Sequence, residues 1–216
     1  MAGYFHLAAG KIECKLKKTP EIQVSASDTR IRYDHSKTQS QMDNMQTDTV
    51  SPYGENVQSH VGGLMSGEVR ISQNIRIMQE TYPAMNTGCL YVDSLQVNIH
   101  INPTIYIAKE FKKSGCMYKA IMEHEKKHIK VDRDIVNKYT TILVQGLNSS
   151  FKKVGYAHGP YSMGHLPTVQ KKLQDYSQDL VRKYSDQMSE ERRVLQQQVD
   201  SLQEYERVRR LCEGKD

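Results

Sequence analysis

Between residues 95 and 142 the hydrophobic period of this chain changes from two to three and four, and that change restricts its fold more than any other feature. Leu95, Val97, Ile99 and Ile101 alternate with Gln96, Asn98 and His100, the pattern of a strand with one buried face. From there the spacing lengthens. Met117, Ile121, His124, His128, Val131, Ile135, Tyr139 and Ile142 recur three or four residues apart, which describes one face of a helix of about seven turns. Lys126, Lys127, Lys130 and Arg133 fall on the opposite, solvated face. Strands first and helices after read as α+β, with a small mixed sheet packed on this helix.

The remaining segments extend that reading. Short alternating runs within 11–16 and 21–33, such as Ile22 and Val24 and then Ile31 and Tyr33, predict strands. Residues 34–60 are polar and predict a short helix and a loop. After a turn at Gly62–Gly63, Val69, Ile71, Ile75 and Ile77 predict another strand, while Pro103 is expected to interrupt the later run before Ile105 and Ile107. The helix is expected to stop at Gly146, followed by Asn148, with 149–167 as a loop. Pro167 suits the first turn of a new helix. Residues 168–213 lack Pro and Gly and carry a stripe from Val169 and Leu173 to Leu202 and Tyr205. This is a long C-terminal helical segment, continuous or broken near Ser185–Ser189. Its stripe could pack on the chain itself or mediate self-association. Residues 1–150 then supply the strand-rich half and the first long helix, and 151–216 the loop and helical segment that complete the same domain.

The chain has 216 residues, enough for one domain at roughly 100–200 residues each. A net charge of +5 is too mild to indicate nucleic acid as a partner. No run approaches the ~18 apolar residues of a membrane span. The first sixteen residues lack a basic stretch followed by an apolar core, so no signal peptide is expected in them. Secretion or a periplasmic location would therefore require a presequence already removed; the other expectation is a cytoplasmic protein. Cys14, Cys89, Cys116 and Cys212 are spread too widely for a zinc knuckle or a CxxC pair.

Residues 124–128 read His-Glu-Lys-Lys-His, a match to H-E-x-x-H that this composition produces by chance about 0.02 times. Residues four apart on a helix share a face. His124 and His128 can thus offer two imidazoles to one Zn²⁺ at about 2.0–2.1 Å. Glu125 lies to the side of that face, placed to take a proton from a water activated by the metal and return it to a leaving amine. That chemistry is peptide-bond hydrolysis, with a peptide or protein as substrate. The competing class is a non-catalytic scaffold that binds a partner through its helical arm.

The run Ile121-Met-Glu-His-Glu-Lys-Lys-His-Ile129 resembles the active-site helix of the zincin metallopeptidases. It is most similar to that of a family of bacterial secreted zinc-dependent proteases of unassigned substrate. Tyr33-Asp34, Gly63-Leu64 and the tail Asp200-Ser-Leu-Gln-Glu204-Tyr205 add to the likeness. The resemblance implies a minimal zincin-like α+β fold and a zinc peptidase. The chain departs from better-known clans: positions 131 and 134 are Val and Asp where metzincins continue with Gly and His, and no Glu lies about twenty residues downstream.

A catalytic zinc takes a third protein ligand. Asp132 shares the histidine face but lies about 6 Å farther along, which suits it better to orient a histidine than to ligate. Glu204 can meet the metal from a facing helix, as in gluzincins, and is the expected third ligand; Glu206, His158 and His165 follow. Tyr139, Tyr156, Tyr161 and Tyr205 are candidate oxyanion donors. If Glu204 faces His124 on antiparallel helices, Cys116, eight residues before His124, and Cys212, eight after Glu204, lie level about 12 Å away. Cys116–Cys212 and Cys14–Cys89 are then the expected disulfides.

Overall fold

The structure, a computed structural model, describes residues 12–45, 47, 49–53 and 61–215. Its organising element is one long strand, β4 (Thr87–Ile107). The preceding strand, β3 (Gly63–Tyr82), pairs with it antiparallel along its whole length, from Tyr82↔Thr87 to Gly63↔Ile107. The turn between them uses Asn86 in the left-handed region at φ 49°. Three shorter strands lie end to end along β4's other side. β1 (Glu21–Asp28) and β2 (Arg32–Asp34) run parallel to it, and β5 (Ala157–Ser162) antiparallel. Leu95, Val97, Ile99 and Ile101 are buried on the helix-covered face of β4, while Gln96 and Asn98 are exposed on the other.

α1 (Gln39–Met42) is a single turn capped by Thr38. α2 (Cys116–Val154) packs across the sheet through a row that includes Ile121, Ile129, Ile135, Leu143, Leu147 and Phe151. α3 (Leu166–Val199) returns antiparallel along α2: Tyr176 packs on Phe151, Glu191 bonds Lys138 and Tyr139, and Arg192 bonds Asp132. A short α4 (Leu202–Leu211) continues the same course to Cys212, which is bonded to Cys116 across a Cα–Cα distance of 5.5 Å. Cys14 and Cys89 form the second disulfide. Both pairings are the expected ones, and two disulfides accord with an oxidising compartment. Among the described residues no helix is long and apolar enough to cross a membrane.

The fold is thus mixed α+β with a long C-terminal helix, but several boundaries differ from the sequence reading. Residues 12–16 form no strand; Cys14 ties that segment to β4 instead. Pro103 does not interrupt β4. It falls between the part paired with β1, ending at Ile101, and the part paired with β2, starting at Thr104. Its missing N–H therefore removes no ladder bond.

Gly146 does not end α2 either. A Cβ there would come within 2.0 Å of the Tyr184 hydroxyl, so the glycine is a contact point for α3, not a stop. The helix ends at Gly155, φ 87°. The expected loop 149–167 holds the end of α2, strand β5 and a 3-10 turn, Met163–His165. The helical segment breaks at Asp200–Ser201, not near 185–189.

Candidate metal centre

α2 sets His124 and His128 one turn apart on the face toward the end of α3, with their rings edge to face and centroids 5.0 Å apart. α3 stops at Val199, and Asp200 leaves the helical path at φ −83°, ψ 46°. Ser201 then caps α4 by accepting the Glu204 N–H. This break turns the Asp200 carboxylate back toward α2. Its Oδ1 lies 3.0 Å from His124 Nε2 and 3.2 Å from His128 Nε2, and the two nitrogens are 3.3 Å apart. All three residues are buried. Ligands at about 2.0–2.1 Å from a tetrahedral zinc are separated by about 3.3–3.4 Å, so this triangle has nearly the size of one tetrahedral face. The group could hold a metal ion.

Glu204 does not occupy the third corner. It sits level with His124, as antiparallel packing requires, but against the other ring nitrogen, with Oε1 3.4 Å from Nδ1. Arg207 and Lys127 also bind it, at 2.7 and 2.6 Å. Arg207 chiefly, with help from Lys127 and His124, brings its pKa down to about 2 against the opposing effect of burial. Glu204 orients His124 from outside, a common role for carboxylates behind metal-binding histidines. Burial pushes the Asp200 carboxyl up, yet hydrogen bonds from His124 and His128 outweigh it and hold the group well below the usual carboxylate range.

His128 Nδ1 lies 2.5 Å from Gln196 Oε1. Gln196 in turn donates to Asp132, which also accepts from Arg192. Asp132 thus stands behind His128 at one remove, through a residue that helical spacing alone does not single out.

Glu125 is 3% exposed and points toward the start of β3. Burial raises its pKa to about 7, while the histidines and a backbone hydrogen bond from Met65 act in the opposite direction. Gly63 makes this approach possible. A Cβ there would sit 2.2 Å from Ile121 Cγ2 and 2.7 Å from Glu125 Oε1. Gly63→Val should therefore displace Glu125 and cost about 1–3 kcal/mol of stability. Denaturant unfolding reads the cost, and unchanged stability would show that β3 and α2 are not packed this closely.

The histidines and Glu125 line a cavity of about 540 Å³, walled by Gly63–Gly67 of β3, by Phe111, Met117 and Ile121, and by Val50 and Tyr53. Tyr205 also lines it, with its ring edge-on to His124 at 5.5 Å. Burial keeps that phenol protonated far above its ordinary range. The other three candidate tyrosines lie elsewhere. Tyr139 bonds Glu191, Tyr156 packs on Phe151, and Tyr161 pairs with Gly88.

His158, bonded to the Gly155 carbonyl, and His165, in the turn before α3, are near the far end of α2. Glu206 pairs with Arg210 on the surface. None of the three joins the cluster. Asp200 and Gln196 are the residues that sequence spacing missed. For Asp200 a signal existed: Ser201-Leu-Gln-Glu204 has the S-x-x-E form of a helix start, which places a helix break immediately after Asp200. The chain matches no family model, no curated protein and no solved structure.

Proposed function

We propose that this protein is a zinc-dependent peptidase with a zincin-like site. The observation that carries the reading is the convergence of His124 Nε2, His128 Nε2 and Asp200 Oδ1 to within 3.0–3.3 Å of one another. Each histidine's other nitrogen is engaged by Glu204 or Gln196. The hydrogen bonds that the inward nitrogens give Asp200 need protons there; with those protons lost and the outward ones kept, three acceptors face one point. A cation relieves that arrangement, and two imidazoles with one carboxylate are a zinc donor set.

Zinc held there supplies Lewis acidity toward a peptide carbonyl and toward water. The chain's own groups do the rest. Glu125, with a pKa near neutrality, takes the proton of the attacking water and passes it to the departing amine. Tyr205, protonated and beside His124, is the phenol available to a carbonyl oxygen. The first residues of β3 form an outer edge along which an extended peptide can lie. The two disulfides support an exported enzyme.

Glu125→Gln should retain about one zinc per chain and the native fold while losing hydrolysis of a mixed peptide library on the order of 10²-fold or more. Hydrolysis that survives the substitution removes Glu125 as the base. Zinc bound without turnover in the native protein would favour a scaffold over an enzyme.

A further inference from the structure

We infer that Gln196 is a positioning residue that fixes the proton of His128 on Nδ1 before any metal arrives. The inference rests on the metal-site reading above and adds how the site is kept ready. A glutamine amide has two hydrogens to donate. Gln196 spends both: Nε2 donates to the His128 carbonyl at 3.1 Å and to Asp132 Oδ1 at 2.6 Å. The amide cannot turn over without setting its oxygen against two acceptors. Its Oε1 therefore faces His128 Nδ1, 2.5 Å away, as an acceptor. The ring must carry hydrogen on Nδ1, and in the neutral form its lone pair is on Nε2, toward Asp200 and His124.

Asp132 is what holds the amide this way. It is fully buried, and Arg192 binds both of its oxygens, at 2.6 and 3.2 Å. Arg192 also reaches the Gly67 carbonyl on β3 at 3.4 Å. The charges facing Gln196 are thus matched, and a neutral amide relays the fixed orientation of a buried ion pair to the histidine. His124 has no such relay. It meets the Glu204 carboxylate directly at the longer distance of 3.4 Å.

Ring-nitrogen NMR of the metal-free protein, at a pH where the ring is neutral, tests this. Native protein should show His128 protonated at Nδ1, with His124 as the internal reference. Gln196→Leu should let the proton move to Nε2, the form preferred by an unconstrained histidine, and should weaken zinc binding about 10–100-fold. Gln196→Met, closer in length, decides the matter should the leucine variant misfold. Native His128 protonated at Nε2, or variants that keep the Nδ1 form, would overturn the inference. The two readings fail separately. Nδ1 protonation in a protein that binds no zinc sinks the zinc site and leaves the positioning role, whereas tight zinc with an Nε2 proton in the free protein does the reverse.

Discussion

Asp200→Ala is expected to weaken zinc binding by on the order of 10²–10³-fold, the share of one ligand in a site whose total binding free energy is about 10–16 kcal/mol. Glu204→Ala should cost less, about 10–100-fold, because it removes only a partner behind His124. The order of the two effects matters more than their size. Asp200 Oδ1 contacts both inward nitrogens, whereas Glu204 contacts one outward nitrogen and is shared with Lys127 and Arg207. Competition with a chelator of known affinity measures both. If Glu204→Ala proves the more damaging, the ligand assignment is reversed. Alanine is preferable to asparagine at position 200, since an amide oxygen can still ligate.

Opening the Cys116–Cys212 bond by replacing both cysteines with serine should cost about 4–5 kcal/mol of folding stability, from the loop entropy of a crosslink spanning 96 residues. The Cys14–Cys89 bond spans 75 residues, so its loss should cost a similar amount. The two should differ in what happens to the metal. α4 contains no buried residue, yet it carries Glu204 and Tyr205 against His124. The disulfide pins the end of α4 to the start of α2. Without it α4 has the partly buried Val208, the contacts of Glu204 with Lys127 and His124, and the Tyr205 contacts to hold it. Removing Cys116–Cys212 should therefore weaken zinc retention as well as stability, while removing Cys14–Cys89 should affect stability alone. Denaturant unfolding and chelator competition on the two double variants separate these outcomes, and equal zinc retention in both would show that α4 stays seated without its crosslink.

The disulfide pairing and the ligand set were legible to different depths, for a physical reason. The expected pairing of Cys116 with Cys212 rested on counting residues along two antiparallel helices. Rise per residue is a property of the backbone, so the count held: Glu204 does lie level with His124. The same count could not say which side of the imidazole a carboxylate would meet. That depends on where α3 ends and on the rotation of α4 after the break at Asp200–Ser201, a displacement of a few ångströms that periodicity does not record.

Local chemistry carried the rest of what could be read from the chain. Period-two alternation identified β4 because one of its faces is covered and the other wet, and the spacing of the H-E-x-x-H run put both histidines on a buried helical face. Breaker residues were the least informative, because their meaning depends on what stands opposite. Gly146 serves Tyr184, Gly63 admits Glu125, and Pro103 occupies a gap between two strands. The sequence by itself determined the mixed α+β class and the His124–His128 pair with Glu125 between them, since backbone geometry over short spans fixes these; the disulfide pairing followed only once two helices were set antiparallel. Tertiary structure alone decided that Asp200 completes the cluster, that Glu204 stands behind it and that Gln196 faces His128. Those assignments depend on the orientation of side chains on elements roughly seventy residues apart, which contact packing sets and sequence spacing does not.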